Sequence, residues 1–178
     1  SARFVQSNRW VHLAVTREGN KIRLFVDGVK TAENTVSSGI ASTEPLRIGL
    51  NASGKCPFVG YMSELRITKG FARYTTNFVL PYEPFDNTDA KFSQVTLLMH
   101  FGGVPNTSVF EDSSNLDHTI TASGAIYVSS DVVKFGDTSG YFSGLGGISK
   151  VTIYNHGYGY DAIPELQIIS KYGVGAVL

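Results

Sequence analysis

Apolar and polar side chains alternate with a period of two through residues 10–28, WVHLAVTREGNKIRLFVDG. Val11, Leu13 and Val15 alternate with His12, Ala14 and Thr16; further on, Ile22, Leu24 and Val26 alternate with Arg23 and Phe25. That period sends the two sets to opposite faces of a strand. Glu18, Gly19, Asn20 and Lys21 supply a turn between the runs, and Asp27-Gly28 marks a second reversal. The stretch predicts an antiparallel hairpin. No i, i+3, i+4 stripe persists over three turns anywhere in the chain.

The same logic predicts further strands. A short strand and loop follow Gly28, and residues 46–50 (LRIGL) form a strand between Pro45 and a polar loop. Residues 58–67 (FVGYMSELRI) predict one longer strand with Val59, Tyr61, Ser63, Leu65 and Ile67 on one face. Residues 68–74 read as an irregular turn. Phe78, Leu80, Pro81, Tyr82, Pro84 and Phe85 read as an extended apolar tail, too rich in proline for a central strand. Residues 86–90 (DNTDA) make a polar boundary. Strands are expected again at 95–101, 119–125, 127–128 and 140–144, with a loop at 112–118. From Gly146 a strand at 148–154, a glycine-rich turn at 155–160 and a return strand at 164–169 predict a small C-terminal β-hairpin unit.

Composition narrows the class. Hydrophobic residues make up 42% and aromatics 12%, which suits a packed fold rather than disorder. Formal net charge is zero, so nucleic acid has no basic footprint to hold. Residues 1–86 carry 11 Lys/Arg against 7 Asp/Glu, a balance of +4, and residues 87–178 carry 4 against 8, a balance of −4. Cys56 is the single cysteine, which excludes an intrachain disulfide and a cysteine-built zinc site. No run approaches the ~20 apolar residues of a membrane helix, so membrane insertion is not expected. Ser1 stands close to the first strand, and we expect a slice of a longer polypeptide.

The motif order WVHLAVTREGNKIRLFVDGV, LRIGLN, GYMSELRITKGFARYTTNFVLPYEPF resembles the C-terminal half of a concanavalin A-like, laminin-G-like jelly roll over residues 1–86. TLLMHF, FEDSSNLDHTITASGA and KFGDTSGYFSG resemble the N-terminal half of the same domain type, within residues 87–145. The halves stand in reversed order. Either the chain is a slice across two tandem domains, the reading favoured here, or it is one permuted sandwich, which is physically possible because domain termini often lie close together. Residues 146–178 are similar to a glycine-rich β-repeat of phage structural proteins. The resemblance implies an all-β fold: an antiparallel jelly-roll sandwich, laminin-G-like, with the small C-terminal unit. It further implies a bacteriophage virion structural or adhesion module of tail, fibre or capsid surface, not an enzyme. Its partners would be other virion proteins, further copies of itself in an oligomer such as a trimer, and host cell-surface glycans. The rival is a carbohydrate-binding domain of a larger secreted or surface enzyme.

Candidate chemistry is sparse. Sandwich glycosidases use two close carboxylates, but Glu111-Asp112 would point to opposite strand faces and Glu64 has no acidic partner two residues away. His12, His100, His118 and His156 are scattered singly, without metal-ligand spacing. Sugar binding would draw on Tyr74 beside Arg73 and on Tyr158 and Tyr160 in the glycine-rich turn; the same tyrosines could instead pin loops to the sheet. No cofactor is expected beyond a structural calcium of the kind related sandwiches hold. Asp112, Asn115 and Asp117 share one loop that could offer it oxygens, and Asx turns account for the same residues without metal.

Overall fold

The computed structural model describes residues 5–152 apart from 40–44, 52 and 54. Strands β1 (Leu13–Glu18), β2 (Lys21–Val26) and β3 (Val29–Thr35) form an antiparallel meander with β2 central. The expected hairpin has Leu13 opposite Val26 at one end and Glu18 opposite Lys21 at the other. Asp27 and Gly28 both take positive φ, at 49° and 74°, as a two-residue primed turn requires. The Asp27 carboxylate accepts the His12 backbone N–H at 3.0 Å and the Arg9 guanidinium at 2.7 Å, which fixes the reversal.

The buried face of this sheet carries Ala14, Thr16, Arg23 and Phe25. Residues 74–78 cover it. The Thr16 hydroxyl donates to the Tyr74 carbonyl at 2.7 Å, and Phe25 sits edge-on to Tyr74 and Phe78. Arg23 is held there by Glu18 and Glu33, each at 3.0 Å. Hydrogen bonds from Lys30, then Arg23, bring the Glu33 carboxyl down to about 2. On the opposite face Val15 and Leu24, paired across the strands, stay 40% and 38% exposed. Trp10 lies half-buried in the lead-in segment.

The long strand expected over 58–67 is broken. It forms β4 (Val59–Met62) and β5 (Leu65–Thr68), separated by Glu64 at φ +60°. The left-handed residue resets the alternation. Leu65 joins Met62 in the core and Ile67 packs against it, while Val59 and Tyr61 fall on the opposite face from Met62. After a short 3₁₀ turn at Phe92–Gln94 come β6 (Val95–Met99), β7 (Thr119–Ser123), β8 (Ile126–Ser129), β9 (Ser139–Ser143) and β10 (Gly147–Thr152). Among the described residues there is no α-helix.

Pairing joins the two segments that the motifs distinguish. β4 pairs β9, which pairs β8; β5 pairs β6; β7 pairs β10; all are antiparallel. One core draws Ile48, Met62 and Leu65 from residues 1–86 and Leu97, Met99, Phe101, Ile126 and Phe142 from residues 87–145. Among the described residues, strands of residues 1–86 thus pair with strands of residues 87–145 and share that core. The strand expected at 46–50 reduces to a bridge between Ile48 and Ile148. β10 pairs β7, so residues 147–152 are hydrogen-bonded to a strand of residues 87–145. The predicted turn at 155–160 and return strand at 164–169 lie outside the described residues.

Phe142 is fully buried, with Phe58 and Phe101 edge-on at 5.5 and 6.0 Å. Gly49, at φ +77°, gives it room: a Cβ there would lie 2.6 Å from the Phe142 ring. Phe142→Ala is expected to cost about 3–5 kcal/mol of unfolding free energy, read as a fall in the urea midpoint at unchanged slope.

Candidate functional site

The three-stranded sheet β4–β9–β8 turns Gly60, Phe142 and Ile126 inward, and Phe142 and Ile126 are completely buried. The residues next to them therefore face outward. Tyr61, Tyr141 and Tyr127 occupy one register line across the three strands. Their rings stand 5.0 Å (Tyr61–Tyr141) and 5.1 Å (Tyr141–Tyr127) apart, tilted by 48° and 51°. All three remain partly exposed. The spacing is that of adjacent strands, ~4.8 Å, so the backbone ladder itself sets the pitch of the aromatic row.

The row has two different borders. Toward one end of the strands, Val59, Ser143 and Ala125 lie beside it; Val59 is 52% exposed and Ala125 is also open. Toward the other, Ser139 and Ser129 are buried, and the Ser139 hydroxyl donates to the Val132 carbonyl at 2.6 Å, drawing the 130–138 loop over the sheet. Burial first, and then the negative charge of Asp131 in that loop, push the Tyr61 phenol upward; a hydrogen bond with the Ser129 side chain works against the rise. The site is a tyrosine ledge with a polar, acidic wall on one side and an open apolar apron on the other.

The residues singled out from the sequence are placed elsewhere. Tyr74 stacks on Phe78 at 3.5 Å with 10° between the rings, so one of its faces is spent inside the molecule. Arg73 donates to the Thr68 hydroxyl at 2.6 Å and pairs with Asp89 at 2.5 Å. Asp89 also takes Arg66, whose guanidinium lies 3.7 Å over the Phe85 ring. Burial works to raise the Asp89 carboxyl, but the Lys91 backbone N–H and the Arg73 guanidinium outweigh it and hold the carboxyl low. Tyr74 and Arg73 thus pin residues 68–78 to the body. Tyr158 and Tyr160 lie outside the described residues.

The 112–118 loop does not fit a calcium ion. Asp112 is buried, and its Oδ1 accepts the backbone N–H groups of Leu98 and Ser114, both at 2.9 Å. Its Oδ2 accepts the Ser114 hydroxyl at 2.8 Å and the His118 N–H at 3.0 Å. A carboxylate offers about four lone-pair sites, and all are taken by donors. Asn115 and Asp117 are exposed, and among the described residues no group of three His, Cys, Asp or Glu side chains could hold a metal. The Asx-turn account of this loop is the one its hydrogen bonds follow.

A second polar constellation joins Glu64 and His100, 36 residues apart. Glu64 is buried at the β4–β5 break; its carboxylate meets His100 Nδ1 at 2.9 and 3.0 Å and accepts the Phe85 backbone N–H at 2.9 Å. The hydrogen bond to Glu64 raises the His100 pKa, against an opposing effect of burial. The lone neighbours of Glu64 in sequence, Ser63 and Leu65, give no hint of this partner. His12, by contrast, is lowered by burial and packs edge-on to Phe78 at 5.4 Å.

Residues 1–71 match the model of the Concanavalin A-like lectin/glucanases superfamily. No curated protein and no solved structure matches the chain. The matched stretch contains β1–β5 and contributes Tyr61; Tyr127 and Tyr141 come from beyond it. Antiparallel pairing and the absence of α-helix among the described residues agree with the sandwich architecture of that superfamily.

The raised His100 pKa has a definite sign in stability. The contribution of the pair is complete below the unfolded value of 6.5 and declines as pH climbs through the higher folded value. A ring-proton NMR titration should place His100 above 6.5, and Glu64→Gln should bring it back toward that value and flatten the fall of Tm above it. A His100 titration unmoved by Glu64→Gln would contradict this.

Proposed function

We propose that this chain is a non-enzymatic carbohydrate-binding module and that the tyrosine ledge of β4, β9 and β8 is its sugar site. The single observation that carries the reading is three in-line tyrosines, partly exposed, on the outer face of a rigid sheet. Aromatic faces bind the C–H faces of sugar rings, while flanking hydroxyls and carboxylates take their hydroxyl groups. Ser143, Asp131 and the phenol oxygens supply such polar groups here. The superfamily match over residues 1–71 is consistent with carbohydrate binding and supports the choice of ligand class.

A binding role fits the ledge better than hydrolysis. Glycoside hydrolysis uses two carboxyl groups flanking one bond, whereas one carboxylate, Asp131, acts on Tyr61. Glu64 is spent on His100 and Phe85, and Glu111 is exposed. The setting we propose is a virion structural or adhesion protein that touches host glycans, with other virion proteins and further copies of the chain as neighbours. The resemblance of residues 146–178 to a glycine-rich β-repeat of phage structural proteins supports that setting. Finding the chain by mass spectrometry in purified particles, rather than with a secreted enzyme, tests it.

Tyr141 is the central ring of the row. Tyr141→Ala is expected to weaken glycan binding at least tenfold while Tyr74→Ala leaves binding unchanged, both measured by titration calorimetry on folded variants. Equal binding by wild type and Tyr141→Ala would remove the ledge as the site.

A further inference from the structure

We infer that the ledge selects an uncharged glycan chain lying across the strands, with one sugar unit over each tyrosine. This rests on the reading of the ledge as the sugar site and specifies the class of ligand it takes.

The direction follows from where the rings are. Along β9 the outward neighbours of Tyr141 are Ser139 and Ser143, and along β4 the outward neighbour of Tyr61 is Val59. Aromatic surface therefore continues only across the strands, from Tyr61 through Tyr141 to Tyr127. The two steps, 5.0 and 5.1 Å, are nearly equal. They approximate the advance of one pyranose unit along an extended, equatorially linked chain. A ligand running along the strands would meet one ring and then small residues. A chain running across them meets three.

The preference for neutral sugars follows from charge. The outward positions beside and within the row are Val59, Tyr61, Tyr141, Ser143, Ala125 and Tyr127, and none is basic. The faces of the rings carry the negative part of the aromatic quadrupole. Asp131 adds a full negative charge within reach of Tyr61 at the walled side. A uronate or sialate carboxylate would approach both, and Lys134, the one cation of the 130–138 loop, lies over the Phe135 ring at 5.2 Å.

The test is a glycan array, followed by calorimetry on the full chain, with neutral gluco-, manno-, galacto- and xylo-oligosaccharides of one to six units and with oligogalacturonides and sialylated glycans. Affinity should rise roughly two- to tenfold per unit up to three units and then level off. The acidic glycans should bind at least tenfold more weakly, and Asp131→Asn should narrow that gap. Tyr127→Ala, at the edge of the sheet, should shorten the optimum to two units, with an unchanged melting curve showing that the variant folds. If no glycan binds, or binding survives Tyr141→Ala, the site itself is wrong. If binding needs Tyr141 but acidic glycans bind equally, or a monosaccharide reaches the full affinity, the site stands and this inference falls.

Discussion

A buried carboxylate at a left-handed residue sets the layout of the molecule. Glu64 interrupts what would otherwise be one strand, and its side chain holds both His100 at the end of β6 and the backbone of Phe85 in the returning tail. On one side of the break β4 enters the sheet of β9 and β8; on the other β5 pairs with β6. Strands that change sheet do so at bends of this kind. Without the bend, Tyr61 and Leu65 would share a face, and either the core would lose Leu65 or the ledge would lose Tyr61. The charge is tolerable in the interior because each oxygen has a donor.

The core and the ledge are two faces of the same three strands. Phe142 and Ile126 fill the interior while Tyr141 and Tyr127, one position away, stand on the outside. Rigid packing below fixes the spacing above, since side chains one residue apart share a backbone whose pairing cannot slip without exposing Phe142. The 130–138 loop adds the wall through the Ser139–Val132 hydrogen bond. The ledge is made by strands, not by loops alone, which limits how far it can rearrange.

Local patterns in the sequence carried much of this fold. The hairpin over 10–28, the Asp27-Gly28 reversal and the strand starting at Val95 are all written in short-range alternation and turn residues. The break at Glu64 is not, because a non-glycine residue at positive φ leaves no compositional mark; the partner of its side chain is a histidine 36 residues on. The ledge was illegible for a related reason. Tyr61, Tyr127 and Tyr141 are ordinary strand tyrosines in their own segments and become a row only through pairing of β4 with β9 and β9 with β8. Tyr74 drew attention as a loop aromatic beside an arginine, yet a neighbouring Phe78 four residues away takes its face. Asp112 stands among loop oxygens in the sequence, but its donors are backbone N–H groups of β6 and of its own loop together with the Ser114 hydroxyl.

On the proposed function, the shape of the ledge also bears on how one copy would hold a sugar chain. With a wall on one side only and an open apron at Val59 and Ala125, a sugar chain bound as proposed would be covered on one face and stay hydrated on the other. Such a contact would form and part with little rearrangement in either direction. Durable attachment then comes from number. When several ledges meet neighbouring stretches of one polysaccharide, each engaged ledge keeps the rest at a high local concentration of ligand, and avidity can exceed the single-site affinity by about 10²–10⁴. A surface bearing many copies would grip a glycan coat firmly while each single grip remained easy to exchange, and so could move across that coat without leaving it.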